Sequence, residues 1–300
     1  MVLSLESRSV VKSNKLIEAC YRLSLNEQRI ILAVIAQIDK NEQPTDAKVY
    51  KISLNEIIKL SGLKGRSSYE QLHLAAFNLK KRDVKIATDC GKRTILTAWV
   101  QAVHYNNEYG SEIEIRLSHE MLPYVTDLSR EFTIYKYKHI SRLTSVYAIR
   151  IYEMLVQWGS VGVRYADIDW LRECLMLESK YPLFKDFKKN VVVPAVNQIN
   201  EHSDLFVSFE LQKRGRKVTH INFKFKPKSK VISMESKKTK AETKPSQNVT
   251  IKNAGDGEHL GKYHPFSKLE IMQGQLRFPD LTEMQVKDKL LAEINSDSRK

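Results

Sequence analysis

Cysteines, long apolar runs and catalytic motifs are all scarce in this chain, and each scarcity removes a class of protein. Cys20, Cys90 and Cys174 are odd in number, far apart and without a C-x-x-C spacing. That pattern argues against a disulfide framework or a cysteine-ligated zinc site and suits a reducing cytoplasm. No apolar run approaches the roughly 20 residues needed to cross a bilayer, and Met1–Glu6 has neither the charged nor the apolar region of a signal peptide. The expectation is a cytoplasmic protein with no membrane association. Gly255–Lys262 superficially resembles a phosphate loop, but five residues separate Gly255 from Gly261 and Tyr263 stands in the place of the magnesium-holding Ser or Thr. No His-x-His pair lies near a tyrosine, and neither H-E-x-x-H nor G-x-S-x-G occurs. His104 and His139 are isolated, and the carboxylates sit at caps and on helix faces. The chain is therefore expected not to be an enzyme and to need no cofactor and no metal. A strand-nicking or priming enzyme stands as the opposing class, recognisable by metal-dependent cleavage or nucleotide incorporation.

Positive charge is what the chain has in abundance. Its formal net charge is +14, with 42% apolar residues in 300, enough length and apolar content for two cores of ordinary size. Residues 130–227 carry +7 of that total. Such a balance points to a polyanionic partner, either nucleic acid or an acidic membrane surface.

Along the chain, Val11–Lys15 leads into a short helix over Leu16–Tyr21. Ser24-Leu25-Asn26-Glu27 is a capping box, in which the serine accepts from the third helical N–H and the glutamate reaches back. A helix follows with Leu25, Ile30, Ile31, Val34, Ile35 and Ile38 on its apolar face. After a strand over Val49–Ile52 the tetrad recurs as Ser53-Leu54-Asn55-Glu56, capping a helix that ends at Gly62. A third helix over Tyr69–Leu79 turns Leu72, Ala75, Ala76 and Leu79 inward, and Lys80, Lys81 and Arg82 close it against its dipole. Strands are expected at Val84–Ala87, Ile95–Val103 and Ile113–Leu117, the first two joined by a turn at Cys90–Arg93. Helix, strand, two helices and hairpin is the order of a winged helix.

The order then recurs. Phe132–Tyr137 reads as a strand, Ser145–Trp158 as a helix, Val163–Tyr165 as a strand, and Asp167 caps a helix over Ile168–Leu175. The fold class expected is α+β, two tandem winged helices with a flexible C-terminal tail. Residues 1–127 form the first domain and residues 128–227 the second. Residues 228–300, where Lys230, Lys237, Lys238, Lys240 and Lys244 stand among Ser, Thr, Glu and Pro, form a disordered basic linker and tail. A short helix there, capped by Asp280, carries Val286, Leu290, Leu291 and Ile294.

Tyr181–Lys226 organises the second domain. At 100° per residue, Phe184, Phe187, Val191, Ala195 and Ile199 share one face, while Lys185, Lys189, Asn190 and Asn197 point away. Lys188 falls among the apolar positions and must snorkel; Pro194 must kink or restart the helix. Leu205, Val207, Phe209, Leu211 and then Ile221, Phe223, Phe225 alternate with polar residues, as strands do. Gln212–Lys217 joins them with four cations around Gly215. The candidate phosphate contacts on the helix are Lys185, Lys188 and Lys189, with Asn190 a candidate adenine reader. Arg214, Arg216 and Lys217 are candidates to grip the backbone from the wing. In the first domain Lys64, Arg66, Ser67 and Ser68 stand before the reading helix, where side chains and N–H groups can meet phosphate. The competing account of each set is a solvated charged face or an exposed turn.

Several stretches resemble the iteron-binding plasmid replication initiators. They are Val11–Ile17, the helix opening Asn26-Glu27-Gln28-Arg29, Ser145–Glu153, Phe187–Asn200 with Pro194-Ala195-Val196, Ser203–Leu205 and Lys213–Lys217. The resemblance spans about residues 11–226 and leaves out the tail. It implies two winged-helix domains that bind directly repeated double-stranded DNA sites at a plasmid origin in the bacterial cytoplasm. A monomer would lie on successive major grooves and help to open the origin, and host replication proteins such as the helicase and the host initiator would be recruited. A dimer formed through the first domain would repress, in a monomer–dimer equilibrium. Trp99, Val103 and Tyr105 are candidates for that dimer surface, against the alternative that aromatic strand residues are core. The weakly basic first domain departs from the expected pattern. A winged-helix transcriptional repressor without initiator activity is the alternative function.

Overall fold

Ser9–Ser13 (β1) opens the fold as a strand where the sequence alone suggests a polar lead-in. Its partner explains the difference. β1 lies antiparallel to Phe132–Lys136, a pairing too distant in sequence for any local pattern to reveal. The computed structural model describes residues 4–38, 45–88, 92–105, 110–126 and 131–228, all within one compact unit, Met1–Lys228. The expected tail, its Asp280 helix, the Gly255–Lys262 loop, Cys90 and the 127/128 domain boundary lie outside the described residues.

The helix expected over Leu16–Tyr21 is shorter, Asn14–Ile17 (α1), capped by Ser13 Oγ, which accepts from the Leu16 N–H at 3.1 Å. Cys20–Tyr21 (β2) instead joins a sheet. Leu25–Ile35 (α2) begins with the expected capping box, both arms present. Every residue from Glu27 to Ile35 is buried, so α2 is a central helix rather than a surface one. Tyr50–Ser53 (β3) leads into Leu54–Ser61 (α3). There Ser53 caps the Glu56 N–H, while the Glu56 carboxylate accepts from the Leu5 N–H rather than reaching back. Gly62 ends α3 with φ +71, a left-handed geometry that glycine takes without Cβ strain.

Ser67–Leu79 (α4) buries Leu72, Ala75, Ala76 and Leu79 as expected. Asp83–Thr88 (β4), Arg93–Ala98 (β5), Val100–Tyr105 (β6) and Glu112–Leu117 (β7) follow. The single strand expected over Ile95–Val103 is in fact two. It divides at Trp99, with β5 in the sheet ordered β2-β4-β5 and β6 in the sheet ordered β3-β7-β6. After a 3-10 turn over His119–Met121 come Leu122–Val125 (α5), β8 over Phe132–Lys136, Lys138–Ser141 (α6) and Val146–Val156 (α7). Val163–Asp167 (β9) and Ile168–Cys174 (α8) follow, the Asp167 carboxylate accepting from the Asp169 and Trp170 N–H groups at 2.9 Å as the predicted cap. Phe184–Phe187 (α9), a π-helical turn over Lys188–Val192 and Val193–His202 (α10) lead to the hairpin of Leu205–Arg214 (β10) and Lys217–Pro227 (β11).

Two sheets have the same internal order. β3 pairs with β7 and β7 with β6; β9 pairs with β11 and β11 with β10. Around them α2, α3 and α4 correspond to α7, α8 and the α9–α10 segment. The architecture is two tandem winged helices in an α+β fold. The β6–β7 pair then occupies the place that β10–β11 holds in the second sheet, and the β4–β5 hairpin is an addition inserted after α4.

A buried polar cluster ties β1 to α7. Lys12 of β1, 1% exposed, donates to both oxygens of Glu153 of α7, 0% exposed, at 2.9 and 3.0 Å. Glu153 also accepts from the Tyr135 hydroxyl, and Arg150 Nη1 lies 3.6 Å from its Oε2. Tyr21 completes the cluster, its hydroxyl accepting from Lys12 and Arg150. Burial, then Glu153, pushes the Tyr135 hydroxyl well above its ordinary pKa, so it stays a donor.

Candidate nucleic-acid interface

The hairpin β10–β11 is long and tight. Its register runs from Leu205 opposite Pro227 to Arg214 opposite Lys217, with a bulge between Gln212 and Lys213. Gly215 at the turn has φ +60. β9 covers β11 only over Lys224 to His220, so the hairpin runs on past its neighbour to a tip where Lys213, Arg214, Arg216 and Lys217 are all exposed. Lys217 Nζ lies 3.5 Å from the Asp169 carboxylate, both side chains largely in water. That exposed pair is weak.

The segment Phe184–His202 answers both irregularities of its wheel. Pro194 has no N–H for the Asn190 carbonyl, and in a regular helix its ring would press on that oxygen. The wide π turn at Lys188–Val192 accommodates this, and α10 restarts with Pro194 in its first turn, where a missing N–H costs nothing. One extra residue in the turn rotates the preceding segment by about 100°. Val192 and Val196 thereby join Phe187, Val191, Ala195 and Ile199 in the core, and Lys188 moves to the edge of the buried stripe. It is half-buried, its ammonium 5.8 Å from the centre of the Phe209 ring. Lys185, Lys189, Asn190 and Asn197 are exposed. The Asn190 amide is engaged, donating from Nδ2 to the Asp186 carbonyl at 2.9 Å within the irregular turn.

In the first half, Lys64, Arg66 and Ser67 are exposed at the start of α4. Ser68 is a different case. It is buried, and its Oγ donates to the Lys64 carbonyl at 2.9 Å, so its hydroxyl holds the turn and is withdrawn from a phosphate. The outer face of α4 carries Glu70, Gln71, Leu74 and Phe77, with Leu74 60% exposed and Lys81 Nζ 4.9 Å from the Phe77 ring centre. The sequence reading did not single out this face. The wheel that turns Leu72, Ala75, Ala76 and Leu79 inward contained the signal.

Among the dimer-surface candidates Trp99 corrects the sequence reading. It is 1% exposed and meets Tyr21 edge-on, ring centres 4.8 Å apart; the junction between two sheets buries its ring in the core. Val103 is half-buried on β6, and Tyr105 pairs with Ile113 through its backbone. Among the described residues no group of three His, Cys, Asp or Glu is placed to hold a metal ion, and no helix is long and apolar enough to cross a membrane.

This geometry has counterparts in known proteins. The PI protein of Escherichia coli is 24% identical over 246 residues, covering 71% of this chain and 80% of that protein. An uncharacterized 27.6 kDa protein of Escherichia coli is 25% identical over 227 residues, covering 69% and 91%. Among solved structures, the Pi initiator protein in complex with iteron DNA superposes with a TM-score of 0.64 at 21% identity, covering 73% of this chain and 97% of that one. At that identity the likeness speaks for the fold. Residues 9–156 match the family described as Initiator Replication protein, WH1, and residues 167–225 the one described as Initiator Rep protein, WH2. Two winged helices in this order, matched over most of the chain, make it a member of the iteron-binding plasmid replication initiator family.

Proposed function

We propose that the chain initiates plasmid replication by binding directly repeated duplex sites, iterons, at an origin in the bacterial cytoplasm. The observation that carries this reading is the second half. A reading helix with Lys185, Lys189 and Asn197 exposed stands beside a protruding hairpin whose tip carries Lys213, Arg214, Arg216 and Lys217 in water. A helix suits a major groove, and a cationic hairpin suits the flanking phosphates. The Pi initiator, whose fold is similar, was solved with iteron DNA, which supports the same ligand class here. The second half is the main reader, and the start of α4 with Lys64, Arg66 and Ser67 supplies a smaller contact from the first. Origin opening, recruitment of the host helicase and host initiator, and repression by a dimer formed through the first half complete the proposed cycle. The role is one of binding, without catalysis by this chain.

Selection of duplexes from a random pool at about 150 mM salt tests it, because non-specific phosphate binding weakens steeply with salt while base readout persists. The expected product is a site spanning two successive major grooves and present in tandem beside the gene, next to an AT-rich stretch. A palindrome found singly at a promoter would establish a repressor instead.

A further inference from the structure

We propose that Cys20 and Cys174 are a peroxide-oxidisable dithiol whose disulfide ties the first winged helix to the second. Cys20 lies on β2 of the first half and Cys174 at the end of α8 in the second, and α8 packs against β2. Because β2 consists only of Cys20 and Tyr21, that packing brings the two cysteines to one seam, and both are free thiols. Cys174 Sγ also lies 3.2 Å from the carbonyl oxygen of Glu18, two residues before Cys20. The Glu18 carboxylate is anchored in turn by Arg164 of β9 at 2.9 Å and by Gln157. Both partners of the pair are thus held by contacts that cross between the halves.

The surroundings divide the labour. Cys20 is partly exposed, within reach of a small oxidant; Cys174 is 1% exposed. The hydrogen bond from Cys174, helped by the buried Arg150 guanidinium, lowers the Cys20 thiol pKa against the opposing effects of burial and Glu173. The same hydrogen bond and burial raise that of Cys174. Cys20, the accessible thiol of the two, is therefore the one that meets the oxidant, and the buried Cys174 resolves. Cys20 sulfur attacks one oxygen of a peroxide, the O–O bond breaks, and the sulfur is oxidised to a sulfenic acid as hydroxide leaves and becomes water. Cys174 sulfur then attacks the sulfenyl sulfur; the S–S bond forms, the S–O bond breaks, and the departing hydroxide takes the Cys174 proton as a second water. Two thiols and one hydrogen peroxide become one disulfide and two waters.

The test uses the full chain carrying Cys90→Ser, which removes the third thiol. It is exposed to hydrogen peroxide, alkylated, digested without reductant and read by mass spectrometry. The expected result is a linked Cys20–Cys174 peptide pair within one chain, reversed by dithiothreitol. Cys20→Ser should abolish the product, and Cys174→Ala should stop the reaction at a Cys20 sulfenic acid trapped by dimedone. Sulfinic acid at Cys20 without a link, a link between chains, or two thiols that survive peroxide in the folded protein would each overturn the proposal. The parent mass measurement decides this even where a variant folds poorly, and none of it depends on DNA binding.

Discussion

The buried cluster between β1 and α7 makes an unequal pair of predictions for two substitutions at one ion pair. Removing one partner of a buried pair leaves the other charge uncompensated and costs about 3–5 kcal/mol. After Lys12→Met, Glu153 still accepts from the Tyr135 hydroxyl and keeps Arg150 Nη1 at 3.6 Å. The remaining charges cancel, so the loss belongs at the lower end, about 3 kcal/mol. After Glu153→Gln, the Lys12 ammonium and the Arg150 guanidinium both remain, hydrogen-bonded to the same Tyr21 hydroxyl and with no carboxylate between them. Two like charges now share a dry site, and the loss belongs at the upper end, about 5 kcal/mol. For a folded unit of this size each kcal/mol moves the midpoint by about 2–4 °C. Thermal unfolding should therefore fall by about 6–12 °C for Lys12→Met and about 10–20 °C for Glu153→Gln. Calorimetry at neutral pH, with urea unfolding as a check on slope, reads the difference. A Lys12→Met chain as unstable as Glu153→Gln, or less stable, would refute the charge argument.

Other outcomes follow from the same geometry. Arg216→Ala with Lys217→Ala should weaken DNA binding and flatten its logarithmic salt dependence by about 0.9 for each phosphate no longer neutralised, as read by anisotropy titrations at several salt concentrations. Ser68→Ala should leave that affinity unchanged, because its hydroxyl serves the Lys64 carbonyl; a large loss would return Ser68 to the interface. Asp167→Ala removes the cap of α8 and should cost about 1 kcal/mol in urea unfolding. His139 has its pKa lowered chiefly by burial, with Lys138, Lys136 and Lys228 adding and Asp204 opposing. The unfolded chain therefore binds this proton more readily, and stability should fall as pH drops through about 6.5; His139→Gln should flatten that segment of the profile.

What the sequence revealed and what it hid divide along a physical line. Caps, turns and helix faces are local, so Ser24, Ser53, Gly62, Asp167 and the alternation of β10 and β11 were legible. Strand partners are not local. β1 stands as a strand because Phe132–Lys136 lies beside it, and β5 parts from β6 because each serves a different sheet. The wheel of the helix over Phe184–His202 flagged Lys188 and Pro194 as misfits, and both trace to one π turn. Of the interface candidates, exposure follows local sequence for Lys185, Lys189, Arg216 and Lys217. The engagement of Asn190 and Ser68 depended on backbone carbonyls whose positions only the folded turn defines. Nothing in the sequence marked Lys12 as a buried cation, since its partner Glu153 is 141 residues away.

Hydroxyl-radical and methylation footprinting on a selected duplex tests the central claim most directly. One chain per site is expected, with two protected major-groove segments about 10 base pairs apart on one face of the helix. The segment bound by the second half should lose its flanking backbone protection in the Arg216→Ala, Lys217→Ala chain. Protection confined to a single groove, or two chains arranged about a palindrome, would contradict it.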